Sequence, residues 1–281
     1  MASSSSSSSA IDYREQAYNA PPHQYNGYGY GGNPLARTDT ASTRVQAFGG
    51  AAQPGTYKPP LPGTANPAPL GLAGFALTTF VLSLVNLGTC GLSNASIVVA
   101  PAYAYGGLIQ LLAGMWEIAL GNVFGGTALS SYGGFWIGLG IILTPVGFDI
   151  EGSYATAGAF YGAFSFYLYG WFLYTFLLWL CTLKSTVAFS SLFLAVWLTF
   201  LLLATSYLEA DNNGGAPNVA LTRAGGATGI VAAFLAWWNM LAGLANPSNS
   251  FFLIPVLHFP WSEKGRESRR ARKVEAEGHE V

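Results

Sequence analysis

The chain has 281 residues and a formal net charge of −1; only 9% of its residues are charged, while 51% are apolar and 15% aromatic. Soluble domains carry about 25% charged residues, so these few charges cannot cover a water-exposed surface, and a soluble globular fold is excluded. A nucleic-acid surface is excluded too, because the basic residues sit in the tails.

Residues 1–65 are rich in Ser, Gly, Pro, Tyr and Asn and show no apolar periodicity, which predicts a disordered tail. The serine run after Met1 is polar and has no apolar core, so it is not a signal peptide. The first membrane helix is therefore expected to act as its own insertion signal, and the serines are open to phosphorylation.

Six apolar runs come next, at about 67–87, 101–124, 132–147, 160–183, 185–208 and 226–245. Each approaches the length a bilayer core requires, about 20 residues, although the third is short, glycine-rich and stopped by Pro145. Between Tyr103 and Leu208 the only charged residues are Glu117, Asp149, Glu151 and Lys184. A membrane β-barrel would instead show alternation in segments of about ten residues. The predicted fold class is therefore all-α, a polytopic membrane bundle of six transmembrane helices over 66–248.

Lys and Arg set the orientation. With the N-terminus in the cytosol, the outside holds Arg223 alone among the basic residues, together with Asp149, Glu151, Glu209 and Asp211. Both termini are then cytosolic. Residues 249–281 read as an interfacial segment, with the apolar stretch 251–256 and Trp261 as anchors, and then a basic tail facing anionic headgroups.

Few residues can carry chemistry. Asn66-Pro67-Ala68-Pro69 is a helix start, with Asn as a good cap and Pro welcome in the first turn. A helix N-terminus also suits a carboxylate, and both readings can hold. Asn246-Pro247-Ser248 would pair with it in a water channel, but one copy precedes the first span and the other lies beyond the last. That architecture is rejected.

Glu117 is the only acid or base inside a predicted span. Gln110, Gly114, Glu117 and Gly121 are spaced to share one helix face, with Asn122 beside it. Glu117 either bonds a neighbouring helix as a protonated donor or carries a proton along a path. It cannot be the binding charge for an anion. Gly107, Gly114 and Gly121 repeat every seven residues, and Gly121/Gly125 and Gly134/Gly138 are four apart, a pattern for close helix packing within or between subunits. The aromatics from Phe160 to Trp179 cover every face of the fourth run and read as packing and lipid contacts. Cys90 and Cys181 show neither metal spacing nor a disulfide framework. His23, His258 and His279 lie in tails or at the interface. No nucleophile elbow, phosphate loop or metal cluster occurs, so neither an enzyme nor an ATP-driven pump is expected, and no cofactor or metal.

Three blocks go further. They are 66–75, Asn-Pro-Ala-Pro-Leu-Gly-Leu-Ala-Gly-Phe; 105–136, with Gly106-Gly107, Gln110, Gly114-Met115-Trp116-Glu117, Gly121-Asn122 and Ser131-Tyr132-Gly133-Gly134-Phe135-Trp136; and His258-Phe259-Pro260-Trp261-Ser262. Together they resemble the acetate uptake transporter family, the YaaH-type acetate/succinate permeases, in its fungal members. The resemblance implies plasma-membrane transport of acetate and related short monocarboxylates by a homohexamer with a pore in each subunit, proton-coupled or channel-like. It implies a substrate path through Asn66, Pro67, Leu70, Phe75, Thr78, Gln110, Glu117, Asn122, Tyr132 and Val196. Phe75, Tyr132 and Val196 would form an apolar neck, wider than in members with Leu at the last position. Two other readings stay open: an ammonium or neutral-solute channel, and a non-transporting membrane acetate sensor.

Overall fold

A computed structural model of the protein describes residues 65–278, apart from 146, 211 and 212. The expected disordered tail up to residue 64, its serine run, His23, Asp211 and His279 lie outside the described residues. Among the described residues six helices are long and apolar enough to cross a membrane: α1 (Ala68–Leu87), α2 (Ala95–Ala119), α3 (Val123–Leu143), α4 (Ala157–Thr182), α5 (Val187–Leu208) and α6 (Val219–Leu244). A further helix, α7 (Glu263–Gly278), is strongly polar. Among the described residues the one strand-like pairing is an isolated antiparallel bridge between Thr186 and His258. The all-α six-span bundle is thus the observed architecture.

Local chemistry explains where the spans begin. Asn122 accepts from Gly125 N (3.0 Å), Thr156 from Ala159 N (3.1 Å) and Thr186 from Phe189 N (3.2 Å). Asn218 accepts from Ala220 N and Leu221 N, and Asn94 from Ser96 N. Each satisfies a backbone donor that the helix itself leaves free. At α1, Asn66 Oδ1 accepts from Ala68 N (3.0 Å).

Three boundaries correct the sequence reading. The second span starts at Ala95 rather than near 101 and ends at Ala119. The third starts at Val123 rather than 132. The reversal between them takes three residues, because Gly121 adopts φ +84°, a region open to glycine without a Cβ penalty, and Asn122 caps α3. Gly121 is therefore in the turn, not on the helix face shared by Gln110, Gly114 and Glu117. The sixth span starts at Val219, so Arg223 lies within it, exposed near its end.

Helix α2 is irregular: a 3-10 turn and a short α segment precede a π-helical stretch at Ala104–Ile109, and Gln110 opens the regular remainder. Such wide turns are common at functional sites.

The spans form a ring. α1 packs along α6, α6 on α5 and α5 on α4; on its other side α1 meets α2, and α2 meets α3. Gly114 lets α2 approach α3 so closely that a Cβ would collide with the backbone nitrogen and hydroxyl of Ser130. That close packing lies within one chain. α3 and α4 meet through aromatic side chains. Tyr167 donates to Phe135 O (3.2 Å) and Tyr174 to Thr127 O (3.2 Å). Helix α4 is thus two-sided: Phe166 is exposed, while Phe164, Tyr167 and Trp171 pack on the core.

Candidate functional site

The N-termini of α1, α3 and α5 converge with the last turns of α6 around one cavity of about 500 Å³. Asn66 and Ala68 open α1, Asn122 and Gly125 open α3, and Thr186 and Phe189 open α5, and all six line it. Each N-terminus carries a partial positive charge, although the first donors of α1 are missing at Pro67 and Pro69 or taken by Asn66 at Ala68. No charged side chain lines the cavity. Its deeper walls are apolar, with Leu72, Leu129, Leu192 and Phe193 among them. We call this end of the bundle, where residue 66 and the segment after α6 lie, the tail side.

Gln110 also lines this cavity. It is fully buried, and neither its amide nitrogen nor its amide oxygen has a hydrogen-bond partner in the protein. Buried amides are nearly always paired, so this one is open to pair with whatever occupies the cavity, water included. Asn122 is the second polar wall. Its Oδ1 is committed to the cap of α3 and its Nδ2 donates to Glu117 Oε2 (2.5 Å). An amide nitrogen carries two protons, which leaves one for the cavity.

Glu117 lies behind this wall and lines neither cavity of the bundle. It is fully buried, and its Oε1 has no hydrogen-bond partner. The Ala68 N–H faces the carboxyl but is already given to Asn66. The side chain that Glu117 contacts by hydrogen bond is Asn122.

A second cavity, of about 90 Å³, lies toward the far side, between Ser83, Asn86 and Ala95 and the rings of Phe135, Trp136, Phe164 and Tyr207. Phe75 and Val196 line both cavities, so they form the partition between them. Tyr132 supports it from the tail side. Its ring lies 5.7 Å from that of Phe75, and its hydroxyl is fixed by Thr175 Oγ1 at 2.9 Å.

Of the ten residues expected along a path, Asn66, Phe75, Gln110, Asn122, Tyr132 and Val196 meet at the larger cavity. Pro67, Leu70, Thr78 and Glu117 do not line either one. Leu70 faces outward, half exposed. Thr78 bonds back to Gly74 O (2.8 Å) and fills the space against Gly106. Sequence reasoning missed Asn239, whose amide nitrogen donates to Leu235 O (2.7 Å) while the side chain lines the cavity. It is the only side-chain amide in α6, and an amide in an apolar span is a usable signal. Sequence reasoning also missed Val256, which reaches the cavity from beyond the last span.

Fold and site together define a six-helix membrane protein with a two-chambered interior suited to a small solute. The chain belongs to the GPR1/FUN34/yaaH family, whose pattern matches residues 48–261. It is 52% identical to Acetate permease A of Emericella nidulans over 253 residues, 88% of this chain and 84% of that one. It is 47% identical to Ammonia transport outward protein 2 of Saccharomyces cerevisiae, over 78% of this chain and 75% of that one. A solved structure, described as that of the bacterial acetate channel SatP, matches with a TM-score of 0.58 at 32% identity and covers 69% of this chain and 99% of that one.

Proposed function

We infer that this protein transports acetate across a membrane. The observation that carries the reading is the unpartnered Gln110 amide in a cavity ringed by three helix N-termini and free of charged side chains. Neutral donors and positive dipole ends suit a carboxylate, and the apolar walls suit a methyl group. The names of the fungal permease and the bacterial channel point the same way.

The route runs from the larger cavity past Phe75 and Val196 into the smaller one. An apolar partition is hard to wet and favours neutral or partly dehydrated solutes. An acid with a pKa near that of Glu, about 4.3, is nearly all ionised at pH 7, and crossing together with a proton removes the cost of carrying a bare charge through a low-dielectric layer. This supports entry as an anion and passage of the partition as an acid, in a proton-coupled or channel-like mechanism.

The membrane is the plasma membrane, with the tail side cytosolic, in keeping with the excess of Lys and Arg on that side. The assembly is a homohexamer. Gly134, Gly162 and Gly170 face open space in the single chain, and outward glycines let a second subunit approach closely.

The test is uptake of labelled acetate by proteoliposomes with and without a pH gradient. Saturable uptake competed by short monocarboxylates is expected; the absence of uptake in either condition would overturn the reading. An ammonium path is the second reading, favoured by the name of the yeast relative, and labelled methylammonium in the same vesicles separates the two.

A further inference from the structure

One wall of the larger cavity comes from outside the spans. After α6 the chain turns at Asn246–Asn249 and runs as an extended strap back to the start of α5. Its Val256 lines the cavity while about half of its surface is exposed. Three contacts seat the strap: Val187 N–H donates to Leu257 O (2.8 Å), Thr186 pairs with His258, and Trp261 Nε1 donates to Leu183 O (2.7 Å).

The strap is joined stiffly to α7. Ser262 is buried, its Oγ accepts from Gly265 N (3.0 Å), and its carbonyl accepts from Arg266 N (3.0 Å). A Cβ at Gly265 would strike the carbonyl of Phe259. The Arg269 guanidinium returns to Pro260 O. Whatever holds α7 therefore also holds the strap.

The exposed side of this unit has a distinct chemistry. Phe251, Phe252, Leu253, Leu257 and Trp261 are all exposed. Beside them, Lys264, Arg266, Arg269, Arg270, Arg272 and Lys273 face only Glu263 and Glu267 within that stretch, and glutamates resume at 275. The described basic side chains are exposed. Apolar anchors next to a polybasic run match a bilayer surface with anionic headgroups, where the two signals together give stable docking and neither alone suffices.

We propose that the strap and α7 dock as one unit on anionic lipid at the tail side, and that this docking holds Val256 in the cavity wall, so that lipid charge sets the affinity for substrate. Undocked, the strap would leave its seat on α5, and the cavity mouth would lose an apolar wall. The affinity part rests on the acetate reading; the docking part does not.

The experiment uses the full chain in inside-out vesicles of phosphatidylcholine, alone or mixed with phosphatidylserine. With Cys90 and Cys181 replaced by Ser, Val256→Cys is labelled with a membrane-impermeant maleimide. Labelling should be several-fold slower with phosphatidylserine, and Arg266→Gln, Arg270→Gln, Arg272→Gln and Lys273→Gln together should remove that difference. Equal labelling in both lipids would overturn docking, whatever the protein transports. In parallel, KM for acetate should be several-fold lower with phosphatidylserine, at similar kcat. A disulfide between Val187→Cys and Leu257→Cys, which pair across the same bridge and do not line the cavity, should give the low KM in both lipids. A cross-linked protein that still responds to lipid charge would overturn the link to affinity. Absence of acetate flux in every lipid would count against the transport reading and against lipid-tuned affinity, while the labelling result would still decide docking.

Discussion

The two cavities lie on opposite sides of the same partition yet differ in kind. The larger is ringed by Asn66, Gln110, Asn122 and Asn239 and by three helix N-termini. The smaller is walled mostly by rings and aliphatic chains, with about a fifth of the volume. Within it Trp136 Nε1 and Thr79 Oγ1 are buried and unpartnered, but no helix N-terminus of comparable length opens onto it apart from Ala95 of α2. Polar and apolar character are thereby separated: the amides and helix N-termini gather at the tail-side chamber, and rings and aliphatic chains dominate the partition and the far chamber, a division on which the proposed acetate path rests.

The harshest way to break this division is to remove a wall of the larger chamber. Gly114→Leu drives a side chain into Ser130 and should destabilise the chain by about 3 kcal/mol or more, the upper range for overpacking. Thermal unfolding of detergent-extracted protein checks this. Gly134→Leu, where the single chain offers open space, should leave the melting unchanged and weaken only the oligomer on native gels. Equal melting of the two variants would remove Gly114 from any role in holding α2 against α3.

Next in size is Gln110→Leu, which keeps the bulk and removes the amide. A hydrogen bond to a charged group contributes about 1.5–3 kcal/mol, so the affinity for acetate should fall about tenfold to a hundredfold, read from the concentration dependence of uptake. Unaltered affinity would move anion binding elsewhere in the cavity.

Phe75→Ala acts on the partition and should merge the chambers. Its expected effect is on selection: lactate and succinate should compete with acetate more effectively than in the parent as the steric and dewetting barriers fall. An unchanged competition series in correctly inserted protein would mean that Phe75 and Val196 do not set the barrier.

The smallest effect is expected for Glu117→Gln. The amide oxygen can still accept from Asn122, so uptake and its pH response between about pH 4 and 7, the window around a carboxyl's ordinary value, should be nearly unchanged. A flattened response would return Glu117 to the path as a proton carrier. Glu117→Ala, which releases Asn122, should weaken acetate binding even where Gln does not.

Composition and run length made the six spans legible, because a bilayer core tolerates almost no charge and these runs contain almost none. The join between α2 and α3 was hidden. Gly121 and Asn122 reverse the chain in three residues with no charge to mark the break, and the apolar pattern continues through it. Glu117 was legible as unusual but not as lying behind Asn122, since helix periodicity gives a face and not what stands in front of it. The neck came from resemblance, and the place of Phe75 and Val196 between two cavities follows from packing that periodicity does not carry. Val256 was out of reach, because its position depends on a contact between the strap and α5, some 70 residues apart in the chain.

The helix caps also bear on how this protein can be engineered. Asn94, Thr156 and Asn218 cap α2, α4 and α6 at the far end, away from the larger cavity, whereas Asn122 and Thr186 cap α3 and α5 and line it at the same time. A cap contributes about 1 kcal/mol, so all five positions would attract a search for heat-resistant variants. Only the first three can be redesigned freely. At Asn122 and Thr186 the capping side chain is also part of the cavity wall, and directed evolution for thermal tolerance there should meet a trade-off with transport.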